Sequence, residues 1–248
     1  MKVNQLSKLC KILKLIDDGL TFDMGAKDTW NVDWNHVTGI AMHWDTPLTD
    51  HPHLIHVDSL AKGLISAKAN TEIYFPKNGE SHTIGKITYP HNIAVCHPYP
   101  SDMGRPKKSI VDGIREHNRC VAKIMKDDVL PFFKNKPFDN FDNSFSIWSL
   151  NGMMGIGEQS IGYVDLGEYK DKSLDIWSNL SFDYIRNFIS LLPNVELTFR
   201  FDDDYPLLIE ADLGFVQITY CMSPRISSED DEKEKLIKQT KTMIGIKE

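Results

Sequence analysis

Apolar and polar positions follow two periods along this chain, and both recur in the same order in its two halves. Residues 5–16 carry Leu6, Leu9, Cys10, Leu13 and Ile16 at helical spacing, with Lys8, Lys11 and Lys14 on the opposite face. A second short helix is predicted from Asp58 over Leu60, Leu64 and Ile65, with Asp58 as its cap. Its counterpart runs from Ser181 over Tyr184, Phe188 and Ile189. At a constant offset Leu60 meets Tyr184, Leu64 meets Phe188 and Ile65 meets Ile189. A polar turn and an alternating strand follow each helix, Ile73 and Phe75 matching Leu197 and Phe199. Each half closes on a strand stopped by proline, at Pro98 and at Pro224.

The beginnings of the halves are less alike. Residues 127–134 offer a shorter and poorer helix than 5–16, with Pro131 acceptable in its first turn only. Strand-like runs follow at 20–24 and 37–44, and at 145–150 and 160–166. Residues 98–119, with Pro98, Pro100, Gly104 and Pro106, read as a surface connector without regular structure. Beyond Ile226 the charge run reads as a solvated, mobile tail, its last residues 235–248 a weak helix with nothing obvious to hold it. Helices with one apolar face must bury it on a sheet. The expected class is therefore α+β: two similar domains, each with two short helices on antiparallel sheets. The first covers 1–98, the connector 99–119, the second 120–226 and the tail 227–248.

Composition narrows the function classes. The chain has 248 residues, 41% apolar and 25% charged, enough for a sizeable core. A net charge of -7 argues against a protein whose whole surface grips DNA, but not against one that gathers its lysines in one place. The apolar runs are strand-length, so no membrane span is expected. The first residues lack the apolar core of a secretion signal, so an intracellular protein is expected. Cys10, Cys96, Cys120 and Cys221 lie far apart with no CxxC pair, and read as reduced thiols.

One cluster suggests metal chemistry. His51, His53 and His56 lie near Asp45, Asp50 and Asp58, and a His-x-His pair on a strand points both rings to one side. Pro47 and Pro52 mark a loop there instead, and no HExxH follows. A metal-dependent hydrolase built on these histidines remains the alternative reading. Residues 152–157 (GMMGIG) lack the Lys-Ser/Thr of a phosphate loop and read as a hairpin or bulge. No G-x-S-x-G elbow is present, and Asp202, Asp203 and Asp204 read as a solvated turn. No catalytic residue, cofactor or resident metal is assigned.

Three stretches carry a resemblance to a known family. Residues 33–42 (DWNHVTGIAM) resemble a D-x-x-H/N-V strand start, and residues 180–185 (LSFDYI) resemble an F-S-x-x-Y-L helix start. Residues 204–209 (DYPLLI), with 220–226 (YCMSPRI), resemble a Y-P-L/V segment followed by Y-x-L-A-P-K/R-I. In this order and spacing, across 5–226, they are similar to the DNA sliding clamps of the proliferating cell nuclear antigen family, of archaeal and eukaryotic type. Departures are a basic connector (Arg105, Lys107, Lys108), Ser223 in place of the usual alanine, the long tail, and Gly63 inside a helix, at about 1 kcal/mol relative to alanine.

The resemblance implies a head-to-tail ring, commonly a homotrimer, with helices lining a central hole. Lys8, Lys11, Lys14, Lys62, Lys68, Lys126, Lys134 and Arg186 would then face duplex DNA. Such phosphate contacts carry no sequence information and suit sliding. Without the family, the same lysines read as solubilising residues. A pocket for short partner peptides is implied at Val32, His36, Val37, Ile40, Ile114, Pro206, Tyr220, Met222, Ser223 and Pro224. Subunit contacts are implied at Ile87, Tyr89, Ile93, Ile161, Tyr163 and Leu166. The implied partners are double-stranded DNA, further copies or paralogues of the chain, a replicative polymerase, a clamp loader and other DNA enzymes.

Overall fold

The computed structural model describes residues 2–16, 21–23, 26–32, 37–46, 54–65, 67–69, 82–84, 87–89, 108–135, 143–225 and 230–246. The chain divides into two compact units, Met1–Val111 with Asp212–Thr219, and Asp112–Ala211 with Tyr220–Glu248.

In the first unit, α1 (Val3–Leu13) buries Leu6, Leu9 and Leu13, and α2 (Val57–Ile65) buries Val57, Leu60 and Leu64. These are the positions a single apolar stripe supplies, and the two helices pack against each other. The amide of Asn4 donates to the carbonyl of Ala69 at 3.0 Å, tying the start of α1 to the segment after α2. The strands are short. β1 (Thr21–Asp23) pairs antiparallel with β4 (Leu54–His56), β2 (Asp28–Val32) with β3 (Thr38–His43), and β5 (His82–Ile84) with β6 (Ile87–Tyr89).

The second unit begins on α3 (Lys108–His117), which starts within the first. Its strands are β7 (Cys120–Met125), β8 (Ser144–Leu150), β9 (Met153–Glu158), β10 (Gly162–Glu168), β11 (Ile176–Ser181), β12 (Glu196–Phe201) and β13 (Leu207–Asp212), while β14 (Gln217–Met222) starts in the first unit and ends in the second. Helices α4 (Lys126–Lys134) and α5 (Phe182–Leu191) pack together. One sheet has the order β10-β9-β8-β11, and β12 lies antiparallel between β7 and β13. Side chains alternate between the two faces of β8, and both faces are buried. Phe145 joins Phe132, Phe133 and Phe182 of the helix pair, with ring centroids 5.3 to 6.3 Å apart. Trp148 and Leu150 point to the other face, where Trp148 is the register partner of Trp177.

That second face is covered by α6 (Asp230–Met243), which corrects the expectation of a mobile tail. Leu236, Ile237, Met243, Ile244 and Ile246 pack on Trp148, Leu150 and Trp177, and the Trp177 indole donates to Thr240 Oγ1 at 3.3 Å. Lys233 bonds Asp203 at 3.0 Å and Asp204 at 2.6 Å, and Lys241 bonds Asp175 at 2.8 Å. The acidic turn is therefore not simply solvated. Asp203 and Asp204 anchor a helix, while Asp202, 1% exposed, takes the Arg119 guanidinium.

Residues 152–157 form a hairpin, β8 to β9, turned on Asn151 (φ 52) and Gly152 (φ 80) as a two-residue I′ turn requires. The next glycines make room for an indole. A Cβ at Gly155 would stand 2.6 Å from Trp148 Cζ2, and one at Gly157 2.6 Å from Trp148 Cη2 and 2.7 Å from Met243 Cε.

Three further expectations change. Residues 108–117 of the connector are helical, with Val111 and Ile114 buried at helical spacing. Pro131 sits inside α4 rather than in its first turn. It cannot donate a helical bond, and the residues that follow it, Phe132 and Phe133, are held by aromatic packing. The internal repeat shifts by one residue. Leu60 and Leu64 share their burial with Ile185 and Ile189, whereas Tyr184 is partly exposed and Ile65 is 84% exposed. Among the described residues, no helix is long and apolar enough to cross a membrane.

Gly157→Ala should overpack Trp148 and Met243, lowering stability by about 1–3 kcal/mol. The check is the urea midpoint, expected to fall at unchanged slope.

Candidate nucleic-acid interface

The outward faces of the helix pairs hold the cations singled out in the sequence. On α1, Lys8 and Lys11 project from the face opposite the buried leucines. Lys14, just past the helix, bonds Asp58 of α2 at 2.8 Å, and Lys62 bonds the same carboxylate at 2.6 Å. The Lys14 ammonium, then that of Lys62, holds the Asp58 carboxyl down at about 2. Lys68 is exposed beyond the helix. In the second unit Lys134 is exposed, Lys126 lies 3.4 Å from Asp127, and Arg186 lies 3.9 Å from Asp183. Asp127, Asp128 and Asp183 occupy first turns, where the helix dipole favours them.

The pocket residues divide by burial. Val32, Val37, Pro206, Ser223 and Pro224 are partly exposed, and Ile114 is buried on the inward side of α3. His36 lies outside the described residues. Ile40, Tyr220 and Met222 are fully buried, and the Tyr220 ring stacks on Phe188 of α5 at 4.3 Å and 11°. Alternation puts Tyr220 and Met222 on one face of β14, and leaves Thr219 and Cys221 on the other. Tyr220 and Met222 therefore serve the core, and a peptide on the opposite face would meet their neighbours.

A constellation missed in the sequence fixes α3. Arg115 Nε donates to Glu210 Oε1 at 2.6 Å, and Arg200 Nε to Glu210 Oε2 at 2.8 Å. Asn118 Nδ2 donates to the carbonyls of Arg200 at 2.9 Å and Pro206 at 3.0 Å, and the His117 ring sits 4.0 Å from that of Tyr205. These bonds place the C-terminal end of α3 beside Pro206. Burial opposes ionisation of Glu210, but Arg200 and Arg115 together hold its carboxyl below the ordinary range. Burial likewise opposes ionisation of Asp202, and Arg119 outweighs it. The helical spacing of Ile110, Val111 and Ile114 was the available signal for α3; its acidic partner, far along the chain, gave none.

The expected subunit contacts also separate. Strand β10 is an edge, bonded to β9 alone among the described residues, with Tyr163 45% exposed on it. Ile161 sits half-buried in the preceding turn, and Leu166 is already buried. Ile87 and Tyr89 lie on β6, and Ile93 lies outside the described residues. So do His51 and His53; His56 ends β4. No group of three metal-ligating side chains occurs among the described residues.

No family model and no curated protein sequence matches the chain. Solved structures do. The chain is similar to A. fulgidus PCNA bound to the C-terminal region of FEN-1, with a TM-score of 0.64, 15% identity, and 92% of this chain and 98% of that one covered. PCNA from Thermococcus kodakaraensis gives 0.66 and 14%, covering 91% and 98%. The PCNA2–PCNA3 complex from Sulfolobus tokodaii gives 0.61 and 13%, covering 91% and 97%. The fold is that of these PCNA structures, α+β with antiparallel sheets, over nearly the whole chain.

Glu210→Gln should release Arg115 and Arg200 and destabilise the chain by about 1–3 kcal/mol, as for hydrogen bonds to charged groups. Because the folded-state values of Glu210 and Asp202 are depressed, their stabilisation is complete above the unfolded values, near pH 4. It is lost as pH falls through the folded values. Urea midpoints from pH 6 downward should drop less steeply in Glu210→Gln than in the wild type.

Proposed function

We propose that this chain is a non-catalytic sliding clamp. It closes into a ring around duplex DNA, slides on it, and tethers a replicative polymerase and other DNA enzymes. The observation that carries this reading is the fold likeness, which spans nine-tenths of the chain at TM-scores of 0.61 to 0.66. Two features of the chain itself support it. Each unit pairs two short helices whose outward faces carry lysine or arginine, in a protein of net charge -7. The second unit also presents an antiparallel edge, β10, of the kind that a ring would close by pairing with another copy.

The action is containment. A ring need not bind tightly to stay on DNA, and a tethered enzyme gains effective concentration rather than a new catalytic group. Sequence-blind phosphate contacts suit that role. Loading a closed ring onto long DNA requires an opening step, so a clamp loader is a proposed partner. The A. fulgidus protein is bound to the C-terminal region of FEN-1, and we extend peptide docking of that kind to this chain. In the second unit Pro206, Ser223 and Pro224 offer partly exposed positions for such a surface. A homotrimer is the proposed assembly. The S. tokodaii complex joins two different PCNA chains, so a mixed ring is the variant to test. The protein is proposed to reside with DNA, in cytoplasm, nucleoid or nucleus according to its source. No described residue cluster favours the metal-dependent hydrolase.

Light scattering should give a ring-sized oligomer, and Tyr163→Asp on the edge strand should shift it to the monomer without loss of helical signal. The wild type should lengthen polymerase products on long primed templates. A wild type that stays monomeric in the presence of candidate paralogues would overturn the reading.

A further inference from the structure

The two helix pairs differ electrically. Helix α1 carries Lys8 and Lys11 and no acidic residue, and Lys2 and Lys14 flank it. Helix α2 adds Lys62, with Lys68 beyond it, and Asp58 is the one acidic residue on the two helices themselves. Asp58 is already engaged by Lys14 and Lys62. Lys8, Lys11 and Lys68 have no ion-pair partner among the described residues. The pair α1 and α2 thus presents a surplus of positive charge to water.

The pair α4 and α5 does not. Lys126, Lys134 and Arg186 are matched one for one by Asp127, Asp128 and Asp183. Lys126 is mostly buried, its side chain 12% exposed, and lies beside Asp127; Arg186 lies beside Asp183. Opposite charges a few ångströms apart cancel at the distance of a neighbouring phosphate, and salt screens what remains within about 10 Å at 0.1 M. Lys134 has no ion-pair partner among the described residues, but Asp128 stands on the same short helix.

We infer that only the helix pair of the first unit grips the phosphate backbone, and that α4 and α5 form a neutral stretch of wall. This rests on the clamp reading, in which both pairs face the duplex. The grip then falls on alternate helix pairs around the ring rather than on all of them. The number of phosphates it neutralises sets the salt dependence of binding.

The test is fluorescence anisotropy of a short labelled duplex, titrated with protein over a range of salt. Two variants are compared, Lys8→Ala with Lys11→Ala, and Lys134→Ala with Arg186→Ala. Both alter exposed or half-exposed helix positions, and light scattering checks that each assembles as the wild type does. The first should weaken binding about tenfold at low salt and flatten the log–log salt slope by about 0.9 for each phosphate no longer neutralised. The second should change affinity less than about twofold and leave the slope in place. Equal losses of affinity from the two variants, or a larger loss from the second, would overturn the inference while leaving the clamp reading intact. A wild type that neither assembles nor binds duplex in a salt-dependent way would instead remove the clamp reading, and the inference with it.

Discussion

Each unit buries the apolar stripe of its helices by pairing two short helices, and that one constraint commits their opposite faces to water. Leu6, Leu9 and Leu13 turn inward with Leu60 and Leu64 in the first unit, as do Val129, Phe133, Ile185 and Phe188 in the second. What remains outward is mostly polar, with Ile65 and Tyr184 as exceptions, and its charge is free to vary with function because it carries no packing role. A protein that is acidic overall can therefore keep one cationic helix face at little cost to its core. On the sheets, Phe145 and Tyr220 face Phe182 and Phe188 of the helices and leave the strands' other faces to be covered separately.

In the second unit that covering is supplied by the chain itself. Trp148 and Trp177 lie side by side across β8 and β11, and an uncovered pair of indoles would be a large exposed apolar patch. Helix α6 closes it, with apolar contact in the middle and lysine–aspartate bonds towards both ends. The glycines of β9 belong to the same solution, since Trp148 can lie flat only where Gly155 and Gly157 lack side chains.

Much of this was legible in the sequence, and the failures have physical causes. Alternation is visible in β12 and β14, a strand-like run in β8, and the helical stripe in α1. The repeat was placed one residue out because Ile65 and Tyr184 are apolar or aromatic yet exposed, so matching by hydrophobicity aligned the wrong pairs. The tail looked solvated because its composition is charged, although Leu236, Ile237, Thr240 and Ile244 share a helical stripe. The hidden part was the receiving surface, since Trp148 and Trp177 look like any strand residues until their register is known. Of the candidate site, the outward placement of Lys8 and Lys11 could be read from spacing. The engagement of Lys126 and Arg186 by nearby aspartates could not, since a sequence gives charges without their distances.

The central claim is a matter of shape. Single-particle electron microscopy of the purified chain, together with any paralogue it requires, looks at that shape directly. The account expects closed annuli whose hole admits a B-form duplex, with density for DNA running through it when linear duplex is added. Compact particles without a hole, or DNA bound only along an outer surface, would contradict it.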